Sequence, residues 1–117
     1  MKSAFVLAAV LLMGAPAIAL AHAHATTYPA DKAVLKQLHD VQIVFSEPVK
    51  TAFTGAILTS ADGHAVKTGK PDFAADKLKL TLPVTGALKP GAYTVKWHAV
   101  AADTHRSEGA FGFTVEP

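Results

Sequence analysis

The chain has 117 residues, six histidines, no cysteine and a formal net charge of +2. That length holds one domain. The missing thiols exclude disulfides, thiolate nucleophiles and thiolate metal ligands, and the near-neutral charge gives no basic patch for nucleic acid.

Residues 1–21, MKSAFVLAAVLLMGAPAIALA, have the three parts of a secretory signal peptide. Lys2 is the positive start, Phe5 to Met13 the apolar run, and Ala19-Leu20-Ala21 a small-x-small cleavage site. The run is short for a membrane span of about 20 residues, and Gly14 and Pro16 interrupt its end. Export with cleavage is therefore expected, leaving residues 22–117 as the folded domain. A second triplet, Ala21-His22-Ala23, offers a cut before His24 instead. Either cut removes Met1 and Met13, the only two methionines, so any metal site in the exported chain uses nitrogen and oxygen donors alone.

Past the leader, short alternating segments are punctuated by turns. DKAVLKQL (31–38) has room for a helical turn or two at most. VQIVFS (41–46) places Val41, Ile43 and Phe45 on one face, and the apolar GAILTS (55–60) runs into the hairpin signal Asp62-Gly63. LKLTL (78–82) turns Leu78, Leu80 and Leu82 inward, and Lys89-Pro90-Gly91 forms a turn. AYTVKWHAV (92–100) buries Tyr93, Val95, Trp97 and Ala99, and AFGFTV (110–115) buries Phe111, Phe113 and Val115. About seven such strands predict an all-β fold, an antiparallel β-sandwich with Greek-key connections. Trp97 is its large core aromatic.

The loop AADTHRSEG (101–109) holds Asp103 and His105 two apart, on the same side of an extended backbone. Alone, this reads as a polar loop with an Asp–His hydrogen bond. An N-terminal histidine changes it, because His22 or His24 at the mature terminus adds an α-amine and a second imidazole. A tetragonal nitrogen- and oxygen-rich set favours Cu(II); Zn(II) prefers a tetrahedron, and Cu(I) wants sulfur. The amine, with an unperturbed pKa of roughly 7.7–8.0, loses its proton on binding, so acid weakens the site. If His22 is first, His24 is third, and the flexible tail alone could wrap Cu(II) through amine, amides and imidazole. His39, His98 and His64 read as surface histidines, with His64 the best of them as an auxiliary ligand. Glu47 ends a strand beside Pro48, with a possible role in orienting a ligand imidazole. Ser107 near His105 does not make a triad, and no nucleophile elbow or phosphate loop is present.

The leader ending in AHAHA, YPADKAVL, VQIVFSEPV and LKPGAYTVKWHAVAADTHRSEGAFGFTV together resemble the CopC family of periplasmic copper-binding, copper-resistance proteins. The last segment is the most specific, joining a Pro-Gly turn, a Tyr-x-Val-x-Trp strand and the Asp-x-His loop. The resemblance implies a cupredoxin-like (Ig-like) Greek-key sandwich that binds Cu(II) and sequesters or delivers it in the periplasm. It places the ligands on the mature N-terminal His22, Asp103 and His105, and implies an inner-membrane CopD-type partner. Some members carry a methionine-rich Cu(I) site, which this sequence lacks. The stretch HAHATTYP (22–29) is about one residue shorter than the family's usual run. A monomeric, non-enzymatic copper carrier is expected. The alternatives are a copper-dependent oxidative enzyme built on an N-terminal histidine, for which the aromatic supply is thin, and a metal-free sandwich.

Overall fold

The computed structural model describes residues 25–117. The leader, with His22 and His24, lies outside the described residues. Eight strands follow in order: β1 (Ala25–Tyr28), β2 (Ala33–Leu35), β3 (Asp40–Phe45), β4 (Gly55–Ser60), β5 (Asp72–Phe73), β6 (Lys79–Pro83), β7 (Gly91–Val100) and β8 (Arg106–Val115). A 3-10 turn at Thr51–Phe53 precedes β4, and there is no α-helix among the described residues.

The strands form two four-stranded sheets, ordered β1-β3-β6-β5 and β2-β8-β7-β4. The chain crosses repeatedly from one sheet to the other, which gives the sandwich expected from the alternating sequence. Side chains two apart on a strand share a face, and the two inner faces fill the space between. Val41, Ile43, Phe45, Leu80 and Leu82 meet Leu58, Tyr93, Val95, Trp97, Phe111, Phe113 and Val115, all buried. Leu78 stands one residue before β6 and is only half-buried.

The segment 31–38, with room for a helical turn or two at most, forms a turn and a short strand. Lys32 is left-handed at φ 70°, its N–H bonds the Gly112 carbonyl at 2.6 Å, and Asp31 Oδ1 accepts the Gly112 N–H at 2.9 Å. These bonds commit the backbone to β8. Ala33–Leu35 then pairs with Phe113–Val115 in parallel, whereas every other strand pair is antiparallel. At the opposite sheet edge the Asp62-Gly63 turn forms as its residues predict, with Gly63 at φ 88° and Gly63 N–H bonded to Ser60 O at 2.9 Å. The Tyr93 hydroxyl donates to the Lys89 carbonyl at 2.6 Å, tying the Lys-Pro-Gly turn to the start of β7.

The longest pairing is the β7–β8 hairpin, in register from Gly91↔Val115 to Val100↔Arg106. It carries the Asp-x-His loop at its tip, at one end of the sandwich.

Candidate metal centre

The loop joining β7 to β8 is a closed turn and not an extended segment. Ala101 N–H bonds His105 O at 2.8 Å and Thr104 N–H bonds Ala101 O at 2.8 Å, with Thr104 left-handed at φ 75°. The two functional side chains therefore meet because the backbone curls between them, a tighter approach than two-residue alternation on a strand provides. Asp103 Oδ1 accepts the His105 backbone N–H at 3.1 Å, and Asp103 Oδ2 lies 3.1 Å from His105 Nδ1. Both carboxylate oxygens face the histidine. Bonding at Nδ1 fixes the ring and leaves Nε2 as its free donor nitrogen.

The pair is exposed, with 85% of the His105 side chain and 53% of the Asp103 side chain accessible. The hydrogen bond from the His105 backbone, then that from its ring, holds the Asp103 carboxyl below its ordinary value. The Asp103 hydrogen bond and charge raise the His105 imidazole, and the charge of Glu47 adds to the rise. A group stabilised in its charged form by a partner loses that stabilisation when the partner is neutralised. Asp103→Asn is accordingly expected to bring the His105 titration, followed by NMR of the metal-free protein, down toward the ordinary histidine value. An unchanged titration would mean that the carboxylate does not act on the ring.

Two backbone bonds, which together make the bridge between Val49 and Ala101, fasten this turn to the segment after β3. Lys50 N–H reaches Val100 O at 2.7 Å and Ala102 N–H reaches Pro48 O at 2.9 Å. Thr54, a buried hydroxyl, accepts the Val100 N–H at 3.2 Å and donates to Lys50 O at 2.9 Å. Glu47 is thereby held on the wall of the same cleft as Asp103 and His105. This cleft, about 280 Å³, is also lined by Phe45, Ser46, Val49, Arg106 and Ser107. Its floor is aromatic: Phe45 meets Trp97 edge-on at 5.7 Å and 69°. Trp97 is the core aromatic its alternation predicts, and it also supports the cleft from beneath.

Of the residues singled out from the sequence, Asp103 and His105 are bonded to each other, and Glu47 lines the same cleft. His64 does not. It pairs with Asp62 at 3.0 Å in the turn after Ser60, and Ser60 stands opposite Tyr93, seven residues along β7 from Val100, or about 23 Å. His98 lies on the outer face of its sheet, over Gly55, and His39 is exposed ahead of β3. Among the described residues no three His, Cys, Asp or Glu side chains gather to hold a metal. Asp103 and His105 are the only two of these side chains joined by a hydrogen bond in the cleft. The fastening segment 48–50, Thr54 and the left-handed Thr104 were not found from the sequence. Thr104 carries no sequence signal, since glycine is the residue that marks such a position.

The described residues thus form a β-sandwich with an Asp-His pair at a hairpin tip and a second carboxylate, Glu47, lining the same open cleft. The CopC domain model matches residues 24–116, and the chain belongs to the CopC family. Protein YobA of Escherichia coli K12 is 40% identical over 100 residues, covering 82% of this chain and 80% of that protein. Copper resistance protein C of E. coli is 31% identical over 115 residues, 91% of this chain and 90% of that one. The crystal structure of CopC from Methylosinus trichosporium OB3b superposes with a TM-score of 0.71 at 30% identity, covering 78% of this chain and 89% of the other.

Proposed function

We propose that this chain is an exported, periplasmic Cu(II)-binding protein that sequesters or delivers copper and is not an enzyme. Relatives named for copper resistance and copper transport support a copper-binding role. The observation that supports the residue assignment is that Asp103, His105 and Glu47 all line one cleft, at the end of the sandwich where β1 begins. Ala25 pairs with Phe45, and Phe45 lines that cleft. His22 is three residues before Ala25, a reach of up to about 10 Å in extended chain, so a mature terminus at His22 lies within range of the cleft. His24 serves if the cut falls two residues later, after Ala23.

In this reading His22 supplies its amine and an imidazole nitrogen, His105 supplies Nε2, and Asp103 supplies a carboxylate oxygen. Glu47 faces them as a further carboxylate. A set of three nitrogens and one oxygen suits tetragonal Cu(II). One relative's crystal structure is described as methionine-rich; this chain's two methionines are Met1 and Met13, both removed with the leader, so no sulfur-bound Cu(I) site is proposed. Because Cu(II) displaces a proton from the raised His105, affinity falls as pH drops through that raised range. Handing copper to an inner-membrane CopD-type protein fits the open cleft. One copper transport protein of Bacillus subtilis, CutJ, matches 86% of this chain with only 19% of its own length.

The test is an EPR-monitored Cu(II) titration of secreted protein whose first residue is fixed by intact mass. One equivalent of a single tetragonal species is expected, with its hyperfine pattern changed by an added N-terminal Met. A spectrum indifferent to that Met would remove the terminal histidine from the site.

A further inference from the structure

Trp97 is 6% exposed, so its indole N–H is a donor shut away from bulk water. A buried donor is nearly always bonded, because leaving it without an acceptor forfeits the hydrogen bond that water would give it. Among the described residues nothing accepts from it. The side-chain bonds made near that end of the sandwich are those of Thr54 with Val100 and of Asp103 with His105, and the indole takes part in none of them.

The fold brings the start of β1 to this donor. The indole reaches from β7 across to β8 and lies over Gly109, where a Cβ would stand 2.7 Å from Cζ2 and 2.9 Å from Nε1. Its nitrogen-bearing edge is therefore the one that overhangs β8. Only Phe113–Val115 of β8 pair with β2, so at Gly109 β8 is the free edge of its sheet. β1 is an edge strand of the facing sheet, and the chain passes from β1 to β2 within residues 29–32, which puts both edges on one side of the sandwich. Ala25, the first residue of β1, pairs with Phe45 and packs against the core, and Phe45 meets the indole edge-on at 5.7 Å. The chain thus enters β1 beside the overhanging N–H. Its pairing with β3 begins only at Ala25, so the carbonyls just before that residue are not committed to the sheet.

We propose that a backbone carbonyl of residues 22–24 accepts the Trp97 indole N–H and so docks the mature terminus against the sandwich before any metal arrives. Trp97 is then a positioning residue. It touches no metal; it sets the course along which the terminal amine and imidazole reach the cleft that Phe45 lines. The docking is a property of the metal-free protein, and only its effect on affinity rests on the copper reading. A terminus held in place binds more tightly than a free one, since apparent affinity drops with the fraction of binding-competent molecules.

The test is NMR of metal-free secreted protein whose first residue, His22, is fixed by intact mass; the single tryptophan gives a single indole resonance. The indole proton is expected to show NOEs to Ala23 or His24, and the backbone order parameters of those two residues to stand near the rigid value of about 0.85. Replacing the Trp97 indole with benzothiophene, through a tryptophan analogue, puts sulfur where the N–H was and keeps the shape of the ring. In that protein the two order parameters are expected to fall below about 0.6, and Cu(II) affinity by competition to weaken about two- to tenfold, the worth of one neutral hydrogen bond. NOEs from the indole proton to water in place of the segment overturn the proposal. Order parameters below about 0.6 in the parent, or unchanged by the analogue, overturn it as well. Failure of the copper reading looks different: His105→Ala would then leave the parent's Cu(II) affinity untouched, and the metal-free spectra would stand as they are.

Discussion

Replacing His105 by alanine is expected to weaken Cu(II) binding by about 100-fold or more while shifting the melting temperature by no more than about 2 °C. The two halves of this expectation come from different parts of the structure. His105 sits at a hairpin tip with 85% of its side chain exposed, outside the buried core, so the fold loses little packing. The turn's own backbone bonds, Ala101 to His105 and Thr104 to Ala101, do not need the ring. The metal, by contrast, loses the imidazole of the cleft, whose Nε2 is left free by the bond at Nδ1. Losses of outer supporting groups in metal sites commonly cost about 10–100-fold, and a direct ligand costs at least as much. The same measurement separates the folded site from a chelate made by the tail alone, since His22-Ala23-His24 would bind copper without reference to residue 105. Parental affinity in His105→Ala would transfer the copper to the tail and leave the cleft without a function.

How much of this was legible beforehand depended on the physical scale of each feature. Alternation is written residue by residue, and it placed Tyr93, Val95, Trp97, Phe111, Phe113 and Val115 in the core correctly. The parallel pairing of Ala33–Leu35 with β8 was not legible, because its causes are Asp31 and Lys32 bonding to Gly112, some 80 residues away. The Asp-x-His motif pointed to a pair, and the pair exists, but its closeness comes from a left-handed threonine that no local pattern announces. The place of Glu47 in the cleft was not legible for a similar reason. Its place across from His105 is set by bonds between the 48–50 segment and the end of β7, a contact only the folded chain supplies. That His64 stands at the other end of the sandwich from this cleft is likewise a fact of the fold that no local spacing encodes.

Gly109→Ala is expected to lower the melting temperature by about 10 °C, a large effect for one methyl group. Gly109 pairs with Trp97 across the β7–β8 ladder, and a Cβ there would lie 2.7 Å from Trp97 Cζ2, 2.8 Å from Cε2 and 2.9 Å from Nε1. These are separations that carbon atoms do not sustain. The backbone on one side is fixed by the hairpin bonds, and the indole on the other is buried against Phe45. Overpacking of this kind costs about 1–3 kcal/mol, and each kcal/mol moves the midpoint of a domain this size by about 4–8 °C. The better strand propensity of alanine over glycine recovers part of that. The effect should also reach the metal. A displaced Trp97 moves Phe45, which lines the cleft, so a substitution outside the cleft is expected to weaken Cu(II) binding several-fold and to shift the emission of the single tryptophan. The two positions are in contact, so their effects should not add: Trp97→Phe, which trims the indole, should cost less in the Gly109→Ala background than in the parent. Additive losses, or a Gly109→Ala protein with parental melting and emission, would mean that the strand and the indole are not pressed together. In that case the glycine would be serving the hairpin and not the cleft.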